Sequence, residues 1–176
     1  MTANRVQMRP LQSDDVQYLY RWYNDPKLME TFGSAGDPFS ISMEGVAIRV
    51  KALMEDQNVL AYLVFDPHRE GPLGLCALKG INRRNASATI MVYMGSEEWR
   101  EERFCKEVLT SIIEVGFSVL NLHRLEARVQ DHQRSFLECL VECGFRSEGN
   151  LREDHFRGGE WRDTILLSLL NGEEDL

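Results

Sequence analysis

The sequence predicts a single α/β (α+β) domain, a mixed and largely antiparallel sheet of six to seven strands flanked by helices. Three observations carry this expectation. Phe104, Val108, Leu109, Ile112, Ile113, Val115, Gly116 and Leu120 recur at the helical period, while Leu125, Ala127 and Val129 alternate with polar neighbours as in a half-buried strand. Three strand-like runs lie in succession before that helix, which implies antiparallel pairing at the start and alternating helix and strand afterwards. The stretch from Ser87 to Phe145 then reads as strand, charged turn, long amphipathic helix, strand, second helix, and a Cys-Gly-Phe that opens another strand.

Taken in order, Arg5 to Leu11 alternates weakly, and Ser13-Asp14-Asp15 supplies a helix cap with acidic residues where the dipole favours them. Val16, Leu19, Tyr20 and Tyr23 mark the buried stripe of a first helix, which Asp25-Pro26 ends. The segment from Lys27 to Phe39 is rich in Gly, Asp, Ser and Pro and reads mostly as loop. Ser40 or Ser42 can cap a second helix from about Met43 to Glu55. Val59 to Asp66 is a continuous apolar run suited to a central strand buried on both faces. A turn over Asp66 to Pro72 joins it to Leu73–Ile81 as a hairpin, and Ala86 to Met94 resumes as strand. Beyond Gly144, two strands around Arg157-Gly158-Gly159-Glu160 form a last hairpin. The expected domain covers 1–170, with an acidic tail over 171–176.

A chain of 176 residues with 43% hydrophobic and 27% charged residues can bury a core without disulfides or metal. Its formal net charge of -8 argues against nucleic acid or an anionic membrane as partner and favours a cationic substrate such as an amine. No apolar run reaches the length of a membrane span, and the first ten residues lack the apolar core of a secretory signal. Cys76, Cys105, Cys139 and Cys143 fall in expected strand or helix, so reduced thiols and a cytoplasmic setting are expected. Cys139 and Cys143 offer at most two zinc ligands, and no metal is expected.

Leu120–Val129 (LNLHRLEARV), Glu142–Glu153 (ECGFRSEGNLRE) and Phe156–Leu170 (FRGGEWRDTILLSLL), with Arg9–Leu28 near the start, together resemble the GNAT superfamily of acyl-CoA-dependent N-acyltransferases. The likeness is to the branch holding ribosomal-protein alanine, spermidine and amino-sugar acetyltransferases. It implies acetyl-CoA as acyl donor and direct attack by a primary amine of a small molecule, amino sugar or protein N-terminus in a ternary complex. It also implies cofactor contacts at Val92 and Met94 on the strand, and at Arg100, Glu101, Glu102, Arg103, Phe104 and Cys105 in the turn and helix start. The family's loop is glycine-rich; here no glycine stands between Arg100 and Cys105.

The usual proton carriers are also replaced. Leu140 stands where the resemblance puts a Tyr acid, Gln133 where it puts an Asn, and Thr89 where many relatives have a Glu. Substitutes are His132, whose ordinary pKa suits base work near neutrality, and Cys139. His132 can equally be an exposed cap and Cys139 a small buried hydrophobe. On the acceptor side Trp22, Asp25 and Glu30 are candidates, with surface charge or edge packing as the alternative. Two other readings stay open: a lapsed GNAT-fold binding or assembly protein, and an acyltransferase with a different donor. Homodimer formation is left open as well.

Overall fold

The computed structural model describes residues 6–28, 41–95 and 102–173. Its seven-stranded sheet has the order β1-β2-β3-β4-β5-β7-β6, with β1 at Gln7–Pro10, β2 at Leu60–Phe65, β3 at Pro72–Asn82 and β4 at Ser87–Met94. Then follow β5 at Arg124–Gln130, β6 at Arg146–Arg157 and β7 at Glu160–Leu170. All neighbours pair antiparallel except β4 with β5. A parallel pair needs a crossover, and the long helix α3, Glu102–Glu114, supplies it.

Side-chain alternation explains how this sheet is covered on both faces. Val64, Leu78, Ile90, Leu125, Ala127, Val129, Leu167 and Leu169 share one core with Val108, Leu109 and Ile112 of α3 and with Cys139 and Leu140 of α4, Arg134–Glu142. Leu63, Leu75 and Tyr93 point the other way. They join Leu19 and Trp22 of α1, Val16–Tyr23, and Val46 and Val50 of α2, Met43–Glu55. Each leucine so buried contributes about 1.5–3 kcal/mol by leaving water. The run expected as a central strand is thus buried on both faces at Leu63 and Val64, but it lies second from the sheet edge, because β1 adds only four residues outside it.

Local chemistry sets the boundaries. Ser42 Oγ accepts from the Gly45 N–H at 3.0 Å and starts α2. Asp15 is 4% exposed and takes a bidentate pair from Arg9 at 2.8 and 3.2 Å, plus the Gln12 N–H. That arrangement pins β1 to the short 3-10 turn Ser13–Asp15 and so to α1. Gly158 and Gly159, at φ +57 and +86, make the two-residue turn between β6 and β7.

Three expectations need correction. Residues 26–28 are helical, with Leu28 buried, so the predicted loop does not begin at Lys27; the rest of that loop, 29–39, lies outside the described residues. The long helix does not run unchanged to Leu120: its last turn, Val115–Val119, is a π-helix, closed by the Leu120 N–H on the Val115 carbonyl at 3.0 Å. Gly116 in that turn crosses β5 so closely that a Cβ would stand 2.9 Å from Leu125 Cδ2. Ala86, expected in β4, has φ +49 and belongs to the turn before it.

Candidate active site

The site begins where the sheet stops being a sheet. β4 and β5 pair only through Ser87, Ala88 and Thr89 with Arg124, Leu125 and Glu126. β4 runs on to Met94 against β3, and β5 runs on to Gln130 against β7. Between those extensions no residues are paired. The Gly95 N–H bonds the Leu73 carbonyl at 2.7 Å, so odd residues of upper β4 face β3. The N–H and C=O of Val92 and Met94 therefore face the gap. On the opposite wall, Asp131 N–H to Asp163 O and Asn171 N–H to His123 O turn the odd residues of β5 toward β7. Arg128 and Gln130 then present their backbone groups to the gap, and the Gln130 N–H is met by Gln133 Oε1 at 3.1 Å.

Two facing strand edges with backbone groups turned into a gap form a slot for an extended chain bearing amides of its own. On the α3 side of the slot, the first-turn N–H groups of α3 have no partner within the helix and favour an anion. Phe104 and Cys105, expected to touch cofactor, are 4% and 5% exposed, with side chains in the core. They can contribute through backbone alone. Lys106 is tied to Glu142 of α4 at 3.7 Å. Arg100 and Glu101 lie outside the described residues; Glu102 and Arg103 open the helix.

Neither substitute proton carrier stands free. Cys139 is 2% exposed, and its thiol touches those of Cys105 and Cys143. Contact with the Cys105 thiol, together with burial, pushes it well above the ordinary thiol range, so it is protonated at neutral pH. His132 sits in the turn before α4 with Nε2 held by Arg157 at 2.7 Å and Nδ1 3.7 Å from Asp131. Burial first, then the Arg157 charge, lowers its pKa and favours the neutral ring, and Nε2 is already taken by Arg157. Leu140 is fully buried, so a phenol at that position would not reach the slot without repacking.

On the other face, Asp25 caps the following helical turn, its Oδ1 accepting from the Lys27 and Leu28 N–H groups at 2.9 and 3.3 Å. Trp22 is 7% exposed and packs inward. Glu30 lies outside the described residues. Sequence reasoning passed over Glu126, which pairs with Thr89 at the last rung before the gap. Its neighbours Leu125 and Ala127 are buried toward α3 and α4, so Glu126 points to the face of α1. It is the only acidic residue on β4 or β5, and its Oε1 accepts from Arg124 Nε at 2.9 Å. The signal was its parity in LEARV, legible once the parallel rung is known.

The parallel pair β4 and β5, crossed by α3, opens into a slot beside the start of that helix. Residues 5–146 match the Acetyltransferase (GNAT) domain family, and the chain belongs to that family. It is 26% identical over 173 residues to the [ribosomal protein uS5]-alanine N-acetyltransferase of Escherichia coli (strain K12), covering 96% of this chain and 89% of the relative. Against spermidine N(1)-acetyltransferase of the same strain the identity is 24% over 169 residues, covering 96% and 87%. The fold matches the crystal structure of spermidine N-acetyltransferase from Vibrio cholerae in complex with CoA and spermine, with TM-score 0.86 at 22% identity and 98% and 99% coverage.

Proposed function

We propose that this chain transfers an acetyl group from acetyl-CoA to the primary amine of a small cationic molecule or a peptide N-terminus. The slot between β4 and β5 carries the reading. Val92 and Met94 hold the amide-bearing arm of the cofactor through backbone N–H and C=O, and the start of α3 holds its phosphates. Because these contacts use backbone, the loop without glycine and the core-facing Phe104 and Cys105 leave them in place. The slot closes at the rung of Thr89 and Glu126. Bound acetyl-CoA supplies an activated thioester that a neutral amine can attack without covalent help from the protein.

Glu126 stands on the face of α1 at that rung; it would draw the ammonium by charge and take its proton, directly or through one water, and the CoA thiolate released as the C–S bond breaks would take a proton from solvent. The net charge of -8 favours a cationic acceptor over an acidic one. Spermidine and a peptide with N-terminal alanine are the two acceptors to compare, since proteins of both kinds are among the relatives.

Calorimetric titration with CoA, followed by acetyl transfer to each acceptor, tests the reading. Binding and transfer are expected. Glu126→Gln should leave CoA affinity unchanged and lower kcat by about 10²-fold, the low end for loss of a general base. Absence of binding at millimolar CoA would overturn the enzyme and leave a binding protein of the same fold.

A further inference from the structure

We infer that Trp22 is a positioning residue for the cofactor end of β4, acting through a steric lock with Gly95; this rests on the acetyl-CoA reading above. Gly95 follows Met94 directly, and Met94 carries the last N–H on the open edge. A Cβ on Gly95 would stand 2.0 Å from Trp22 Cε2 and 2.4 Å from Cζ2 and Nε1. Gly95 has no positive φ, so glycine is required there for space and not for backbone conformation. The strand cannot yield toward β3, because its N–H is bound to the Leu73 carbonyl at 2.7 Å.

The indole cannot yield either. It lies between Tyr18 and Tyr93, with ring centroids 6.5 and 6.3 Å away, and the Trp22 backbone carbonyl accepts from the Tyr93 hydroxyl at 3.3 Å, which ties α1 to β4. Tyr23 closes the group edge-on against Tyr93 at 5.3 Å. Gly95 is therefore held in the plane of the sheet by Leu73 and packed on one face of it by the Trp22 indole. The indole belongs to α1, on the acceptor face, and Gly95 is joined directly to Met94. Trp22 thus sets the direction of the Met94 N–H without touching substrate, and it ties the acceptor wall to the cofactor wall.

The test uses the full chain as wild type, Gly95→Ala, Trp22→Leu, the double variant, and Val50→Ala as a control in the same core but away from β4. CoA affinity, KM for acetyl-CoA, kcat and thermal melts are read for each. Gly95→Ala should weaken CoA and raise KM about three- to tenfold with kcat nearly kept, the scale of one misaligned hydrogen bond. The double variant should recover most of that loss, because leucine vacates the space the methyl needs. Val50→Ala should lower the melting temperature without moving KM.

A folded Gly95→Ala with wild-type KM, or a double variant no better than Gly95→Ala, overturns the lock. If Gly95→Ala does not fold, Trp22→Leu against Val50→Ala decides: equal loss of stability with equal KM also overturns it. Failure of the wild type to bind CoA would remove the cofactor reading itself, an outcome distinct from wild-type and Gly95→Ala binding equally well.

Discussion

Cys139 and His132 show what single-residue reasoning can and cannot reach. Their positions were legible from the match around Cys-Gly-Phe, but their partners were not, because Cys105 and Arg157 are 34 and 25 residues away in sequence. A thiol sunk beside two others is a packing group, so Cys139→Ala should keep kcat within about twofold and cost about 1 kcal/mol in a urea melt. His132 is held neutral in the folded chain, whereas the unfolded chain takes its proton near pH 6.5. Below that value the unfolded state binds more protons, so stability falls as pH drops through the window between 6.5 and the lower folded value. His132→Asn should flatten that part of the melting curve against pH, and an identical slope in both proteins would show that the ring does not carry it. The Trp22 and Gly95 pair lay beyond sequence reasoning for the same reason, since no period or motif links positions in separate elements.

At the scale of elements, helix and strand periods were read well where one face is buried and poorly where tertiary contact bends the rule. Leu125, Ala127 and Val129 alternate as expected and are at most 1% exposed. The π turn at Val115–Val119 has no local signature; it lies where Gly116 crosses Leu125 at close range. The slot shares this character: each strand is legible alone, but the length of their pairing is set by the crossover. Its chemistry can be tested with one backbone change. Val92→Pro removes an N–H that faces the gap and spares those that bond β3, so the strand should persist while CoA affinity falls by about 0.5–1.5 kcal/mol, the range for a hydrogen bond between neutral groups. A melting temperature near wild type with weakened CoA binding, read by calorimetry, is the expected result. Retained affinity would show that the arm does not lie on that edge.

Across the whole molecule, the fold class and strand number were within reach because two apolar faces per strand leave few layer arrangements. What composition could not reveal is how little joins the halves. One plate is β1 to β4 and the other is β5, β7 and β6, and the sheet connects them by three rungs of parallel pairing. Amide deuterium uptake should therefore be uneven inside strands that are otherwise protected. In the free protein the Val92 and Met94 amides should exchange well before those of Met91 and Tyr93, which face β3. Addition of CoA should slow Val92 and Met94 selectively, and slowing spread evenly over β4 would contradict this. If acetyl-CoA binds as proposed, its arm adds contacts to the β4 edge of the gap, where the sheet has no rungs of its own, and the loaded protein should be the stiffer one.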